Sequence, residues 1–332
     1  MHHFGNSDRM LARRRFSTLL FAATLRPDIA AAAPAIRVGV LRFGTVSWEL
    51  DVIRAHGLAT VEMYEFAAPQ AAQVALQAGQ VDAIVVDWMW VARQRGTGAD
   101  WTFVPFSNAV GALVAPASSP VRSVADLAGR RLGVAGSPLD KSWLILRAYA
   151  KDRLDLDLDA ATDRSFGAPS LLAEQMKLGR LDAMLTFWPF AARAEAAGAR
   201  RVIAVEEAVS RLGIGVGVPY LGYTFSAAWA GRNPEVLAGF LVASRRVRDI
   251  LARSDVEWHR LRALTGATDD AELTRLRDWY RAGIPRRWGA SERDAALKLF
   301  ALLARVGGPE LVGQAASVPS GTFWPTEWQE SE

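Results

Sequence analysis

Two stretches of equal length decide how this chain folds: FAAPQAAQVALQAGQVDAIVVDWMWVAR at residues 66–93 and FGAPSLLAEQMKLGRLDAMLTFWPFAAR at residues 166–193. Aligned without a gap they share nine identities in 28 positions, among them Pro69/Pro169, Gly79/Gly179, Asp82/Asp182, Trp88/Trp188 and Arg93/Arg193. Self-similarity of this kind marks a duplicated structural unit.

The duplication extends upstream. Arg37-Val38-Gly39-Val40 parallels Arg131-Leu132-Gly133-Val134, and each is followed by a Ser-Trp pair, Ser47-Trp48 and Ser142-Trp143. Each copy reads as strand, Gly/Ser loop, helix, strand, helix, strand and a Trp-bearing loop. Short apolar runs at 83–86 and 183–185 give strands, and Leu144, Leu146, Ala148 and Tyr149 after Ser137-Pro138 give helical spacing. The alternation predicts a mostly parallel sheet in each copy, so the fold class is α/β with two lobes.

In open parallel sheets ligands bind beyond the carboxyl ends of the strands. If the copies face each other, the loops at 42–48, 87–90, 135–143 and 187–190 converge on one cleft. Five of the 12 tryptophans fall there (Trp48, Trp88, Trp90, Trp143 and Trp188), which predicts aromatic walls. The chain is expected to enter the second lobe near 115–121 and leave near 219–223, a double crossing that permits hinge closure. Lobe one is then 36–114 with 221–332, and lobe two is 115–220. Asn233-Pro234-Glu235 opens a helix running to about Ser254, and helices near 269–282 and 291–305 form a C-terminal extension expected to pack on lobe one.

The 332 residues, 51% hydrophobic and 22% charged, suffice for two such cores. Residues 1–35 read as an export signal: Arg13-Arg14-Arg15 as the basic region, 16–25 as a short apolar stretch, and 30–35 as a small-residue tract for cleavage. Arg13-Arg14-Arg15-Phe16 also fits a twin-arginine signal. Without the leader the formal charge of +4 falls close to neutrality, so nothing points to nucleic acid. No later segment has 18 uninterrupted apolar residues, so no membrane span is expected. Zero cysteines exclude disulfides, thiolate metal sites and a Cys nucleophile, and the four histidines are too scattered for a zinc or copper site. No cofactor is called for.

The run 123–137, Ser123-Val124-Ala125-Asp126-Leu127-Ala128-Gly129 through Gly136-Ser137, resembles the start of the second lobe in the periplasmic binding proteins for nitrate, taurine, aliphatic sulfonates and thiamine-precursor pyrimidines. Gly179 to Asp182, followed by Phe187-Trp188-Pro189-Phe190, is similar to another motif of that family. The resemblance covers roughly residues 36–253. It implies a type II-like periplasmic binding fold and a monomeric, non-enzymatic receptor that captures a small organic or anionic solute in the periplasm. The implied partners are the permease and ATPase of an ABC importer. Two other classes stay open: a sensing or docking subunit for an exported oxidoreductase or membrane receptor, and a pyrimidine-precursor enzyme on the same fold.

The candidate ligand contacts are Ser47, Trp48, Asp87, Trp88, Ser137, Asp140, Lys141, Phe187, Trp188 and Tyr223. Ser137 before Pro138 reads as a helix start whose free N–H groups suit an anion, or as an ordinary N-cap. Lys141 neutralises an anionic ligand or reaches water, and Asp140 holds a cation or favours the helix dipole. Asp87, between indoles, suits an ammonium group or caps the next helix. Trp88 and Trp188 clamp a ligand from both sides or pack between lobes. Phe187 lies in the same loop as Trp188, and Tyr223 stands where the chain re-enters lobe one. Asp82 and Asp182 read as turn or strand-start residues with local hydrogen bonds and not as ligand contacts. A hard-metal set of Glu49, Asp51, Glu62 and Asp87 is a remote alternative.

Overall fold

The computed structural model describes residues 35–42, 44–215 and 217–329. The expected export signal at 1–35 lies, Ala35 apart, outside the described residues.

In chain order the first unit runs β1 (Ile36–Leu41), α1 (Val46–Ala55), β2 (Val61–Phe66), α2 (Pro69–Gln77), β3 (Ala83–Asp87), α3 (Trp88–Gly96) and β4 (Trp101–Ser107). The second runs β5 (Gly111–Ala115), β6 (Arg131–Ala135), α4 (Lys141–Leu154), the short α5 (Leu158–Ala161), β7 (Asp163–Gly167), α6 (Pro169–Lys177), β8 (Ala183–Phe187), α7 (Trp188–Ala196), β9 (Arg200–Ala204) and α8 (Val205–Arg211). Then follow β10 (Leu221–Ser226), α9 (Ala227–Arg232), α10 (Pro234–Arg253), α11 (Asp255–Arg260), α12 (Arg262–Thr265), α13 (Asp270–Ala282) and α14 (Ala290–Val312). Gly308, at φ 65, breaks α14 near its end.

Two five-stranded sheets result, ordered β2-β1-β3-β10-β4 and β7-β6-β8-β5-β9. In each, the first three strands are parallel and the fourth is antiparallel to both neighbours. That fourth strand lies beside a crossing in both cases: β5 joins sheet two as the chain arrives, and β10 joins sheet one as it returns. The passages between the sheets are therefore Ser107 to Gly111 and Ala204 to Leu221. They are tied together where the Tyr220 N–H donates to the Ser107 carbonyl at 3.0 Å.

The repeat is physical down to single bonds. Asp82 accepts from the Arg37 backbone N–H and from Nε and Nη2 at 2.9, 3.1 and 2.7 Å. Asp182 accepts from the same three groups of Arg131 at 2.9, 3.1 and 2.7 Å. Both aspartates stand just before their strands, as expected, but their bonds are not local: they reach 45 and 51 residues along the chain and fasten the start of each copy's first strand to the start of its third, in a fork geometry that makes the pairing strong. At the centre of β6, a Cβ on Gly133 would lie 2.6 Å from Leu181 and 3.2 Å from Leu172, so glycine lets α6 seat against the sheet.

The C-terminal extension does lie on lobe one, where α10 and α12 pack on α1, but it reaches further. Helix α13 packs on α7 and α14 on α4, so the extension also touches lobe two. Arg193 of α7 pairs with Glu272 of α13 at 2.7 Å and donates to the Thr265 carbonyl at 2.8 Å. The Trp279 indole donates to Glu195 at 3.3 Å, while the Arg201 guanidinium stacks 4.0 Å over its ring. Amphipathic helices need a partner for their apolar face, and α13 finds part of its partner across the lobe boundary.

Candidate functional site

The carboxyl ends of β1, β3, β6 and β8 meet where the two lobes face. The expected aromatic walls are different in kind: all five tryptophans are buried, at 4% exposure for Trp48 and Trp188, 1% for Trp88 and Trp143, and 7% for Trp90. They occupy first turns of helices. Trp88 and Trp188 are the first residues of α3 and α7, and Trp48 and Trp143 the third of α1 and α4.

The pairing across the cleft also differs from a symmetric clamp. Trp188 of lobe two meets Trp48 of lobe one edge to face at 5.9 Å, and Trp48 in turn packs on Trp258 at 5.9 Å. Trp88 is covered by the extension, 6.3 Å from Phe300 and 6.0 Å from Phe323. The extension, invisible to a repeat-based reading, breaks the symmetry between Trp88 and Trp188.

A second contact spans the cleft. Lys141 Nζ, at the start of α4, lies 4.0 Å from Asp87 Oδ2, at the end of β3, and both side chains are partly exposed. Asp87 also caps α3, accepting from the Trp90 N–H at 2.9 Å. This is a charged pair of opposite sign with one member from each lobe. Thr45 and Trp188, with Phe106, Ser107, Tyr280 and Ile284, line a small space at the cleft floor.

The start of α4 differs from expectation. Ser137-Pro138 does not begin the helix. Gly136, at φ +99, leads into a turn closed by the Asp140 N–H on the Ser137 carbonyl at 2.9 Å, and α4 begins at Lys141. Asp140 is the N-cap, accepting from the Ser142 N–H at 2.8 Å. Burial raises its carboxyl pKa, opposed by the neighbouring Lys141 ammonium. Ser137 is exposed at the rim. Ser47 sits in the first turn of α1 and donates to the Gly44 carbonyl at 3.0 Å. Phe187 is half-buried at the end of β8.

Tyr223 lies elsewhere. It is 1% exposed, packed edge to face on Phe106 and Phe240 in the lobe-one core, and donates to Glu49 at 3.3 Å. Glu49 is fully buried and also accepts from Ser244 at 3.3 Å and from the Tyr280 hydroxyl. Burial raises its pKa, while the Arg248 charge and the hydroxyl donors oppose the shift. The remote metal set does not assemble: Glu49 is in this network, Asp51 pairs with Arg260 at 2.6 Å, and Glu62 accepts from Tyr64 at 3.0 Å. Among the described residues no group of three or more His, Cys, Asp or Glu is placed to hold a metal ion.

The architecture is that of a two-lobed, type II periplasmic binding protein, with a contact surface formed by strand-end loops of both sheets. The family model described as NMT1/THI5 like matches residues 54–253, and the chain belongs to that family. Its fold is similar to that of the alkanesulfonate-binding protein SsuA from Xanthomonas axonopodis pv. citri bound to MOPS (TM-score 0.66, 19% identity, 89% of this chain and 99% of that one). It is also similar to the periplasmic aliphatic sulphonate binding protein SsuA from Escherichia coli (TM-score 0.67, 18% identity, 85% and 94%). The desulfurization enzyme DSZB is similar as well (TM-score 0.54, 16% identity, 87% and 97%). No match was found among the curated proteins. No described helix is long and apolar enough to cross a membrane.

Proposed function

We propose that this protein is the substrate-binding component of an ABC importer, holding a small organic or anionic solute between its lobes and handing it to a permease and ATPase as the hinge opens. The observation that carries the reading is the meeting of opposite lobes at strand-end loops, Trp48 against Trp188 and Lys141 against Asp87. Such contacts form only when the lobes are closed, and a solute entering between them would meet a cation, a carboxylate and two indole edges at once. Lys141 supplies the charge for an anionic group and Asp87 the charge for a cationic one. Ser47, Ser137 and Phe187 stand at the rim of the same cleft, and Asp140 holds α4 in place behind Lys141. Trp88 acts through packing under the extension, and Tyr223 by fixing Glu49 beside Trp48. The receptor works in the periplasm as a monomer, exported by the signal read in its first 35 residues.

The test is thermal unfolding of the chain against sulfonates, nitrate, bicarbonate, pyrimidines and quaternary amines. A ligand at about 100 times its Kd adds roughly 2.7 kcal/mol to stability, a rise of several degrees in midpoint. Lys141→Ala should abolish the shift for an anion, and Asp87→Ala for a cation. No shift with any class would reject solute capture in favour of a docking role, and conversion of a bound pyrimidine or sulfonate to product would replace the receptor by an enzyme. The similarity in fold to a desulfurization enzyme makes that turnover assay worth running.

A further inference from the structure

At the hinge, sharing Gly283 with the small space at the cleft floor, lies a second cavity of ≈ 350 Å³ where three parts of the chain meet. The first crossing contributes Asn108, lobe two contributes Arg201 and Glu206, and the extension contributes Arg275, Trp279 and Gly283. Its walls are held by direct bonds. The Asn108 N–H donates to the Gly283 carbonyl at 2.8 Å, and one Glu206 oxygen accepts from the Val110 N–H at 2.6 Å. Glycine is needed at 283, since a Cβ there would lie 2.6 Å from that of Ala109.

The charges around this cavity are unevenly matched. Arg201 is paired with Glu195 at 2.5 Å, and Asp278 with Arg277 at 3.0 Å. Arg275 has no carboxylate partner among the described residues, and Glu206 is held by backbone N–H groups, its own and that of Val110, with no cationic side chain bonded to it among the described residues. Asn108 Oδ1 is buried with no hydrogen-bond partner among the described residues. A buried acceptor left bare has lost its hydration without replacement, and a donor from a ligand would supply the missing bond. Among the described residues, a cation without a carboxylate partner, a carboxylate without a cationic one and a bare amide oxygen thus border a space of small-molecule size beside an indole ring.

We propose that this hinge cavity is a second solute site, distinct from the cleft between the lobes, and that it takes a small amino acid, with the ammonium group on Glu206 and Asn108 and the carboxylate on Arg275. Because its walls come from the first crossing, lobe two and the extension, an occupant there touches parts that hinge motion separates. Burial pushes the Glu206 carboxyl up to about 7, so an ammonium ligand is held best above that pH, where the carboxylate is ionised.

The experiment is ¹⁹F NMR of the full chain labelled with 5-fluorotryptophan at pH 8, titrated with L-alanine, β-alanine and γ-aminobutyrate, the Trp279 resonance being assigned with Trp279→Phe. At least one of the three should move the Trp279 signal saturably. Arg275→Ala, at an exposed position, and Glu206→Gln should each weaken that binding at least tenfold, and propionate or propylamine alone should bind at least tenfold more weakly than the zwitterion. Three results would overturn the proposal: no saturable shift with any of the three amino acids up to about 100 times a millimolar Kd, equal binding by propionate, or a shift that Lys141→Ala abolishes while Glu206→Gln and Arg275→Ala leave it intact, which would put the binding in the cleft.

Discussion

At the scale of single residues, buried carboxyl groups set the pH behaviour of this protein. Glu206 lies at the hinge with its pKa raised by burial from 4.5 to about 7. A carboxyl whose folded pKa exceeds its unfolded one binds more protons in the native state, so stability falls as pH rises through the interval between them. Here the interval is about pH 4.5 to 7, and at 1.36 kcal/mol per unit the loss approaches about 3 kcal/mol. Glu206→Gln keeps an oxygen for the Val110 N–H and removes the titration. In urea unfolding the variant should match the parent near pH 4.5 and exceed it by up to about 3 kcal/mol near pH 8; equal stability at both would show that Glu206 is ionised without penalty. Trp48 makes a different kind of residue-scale prediction. Its ring joins Trp188 across the cleft to Trp258 behind it, so Trp48→Ala should cost about 3–5 kcal/mol in unfolding and weaken any cleft ligand at least tenfold.

At the scale of elements, two predictions separate what the sequence showed from what it hid. Asp140, and not Ser137, caps α4. Asp140→Ala should therefore cost about 1 kcal/mol, and Ser137→Ala should stay within about 0.5 kcal/mol, both read from chemical denaturation. The repeated Arg–Asp staples give a matched pair: Asp82 is 7% exposed and Asp182 21%. Hydrogen bonds to charged groups are worth about 1.5–3 kcal/mol, so Asp82→Ala should fall at the upper end and Asp182→Ala at the lower. The duplication was legible because it rests on contiguous identities, and the strands and their parallel pairing follow from them; the partners of Asp82 and Asp182 were not, because Arg37 and Arg131 lie 45 and 51 residues upstream. The first residue of α4 was not, because Ser-Pro is a helix-start signal in isolation and the turn set by Gly136 defers the start by three residues. Nor was the burial of Trp88, since its covering residues Phe300 and Phe323 lie more than 200 positions away and outside the repeat.

At the scale of the whole molecule, the extension decides how freely the lobes separate. The repeat makes two equivalent lobes joined by two crossings, and such a hinge alone would open readily. The extension adds a second set of interlobe bonds: Arg193 to Glu272 and Thr265, Glu195 to Trp279, and Arg201 over the Trp279 ring. Glu272 is only 11% exposed, so its pair with Arg193 is shielded from solvent. Arg193→Ala removes both bonds to α12 and α13 and leaves Glu272 without its cation, a change of about 1.5–3 kcal/mol in favour of the open form. Each 1.4 kcal/mol is tenfold in the closed-to-open ratio. Spin labels at the exposed Val74 of lobe one and Leu178 of lobe two report the distance between lobes. In the absence of ligand the parent should give one short distance and Arg193→Ala a substantial longer component, which ligand suppresses. Since apparent affinity scales with the fraction of binding-competent protein, the variant's affinity for a cleft ligand should fall by the factor by which its closed population falls. Identical distance distributions in parent and variant would mean that α13 rides with lobe two throughout the motion, and that closure is governed by the cleft contacts of Trp48, Trp188, Asp87 and Lys141 alone.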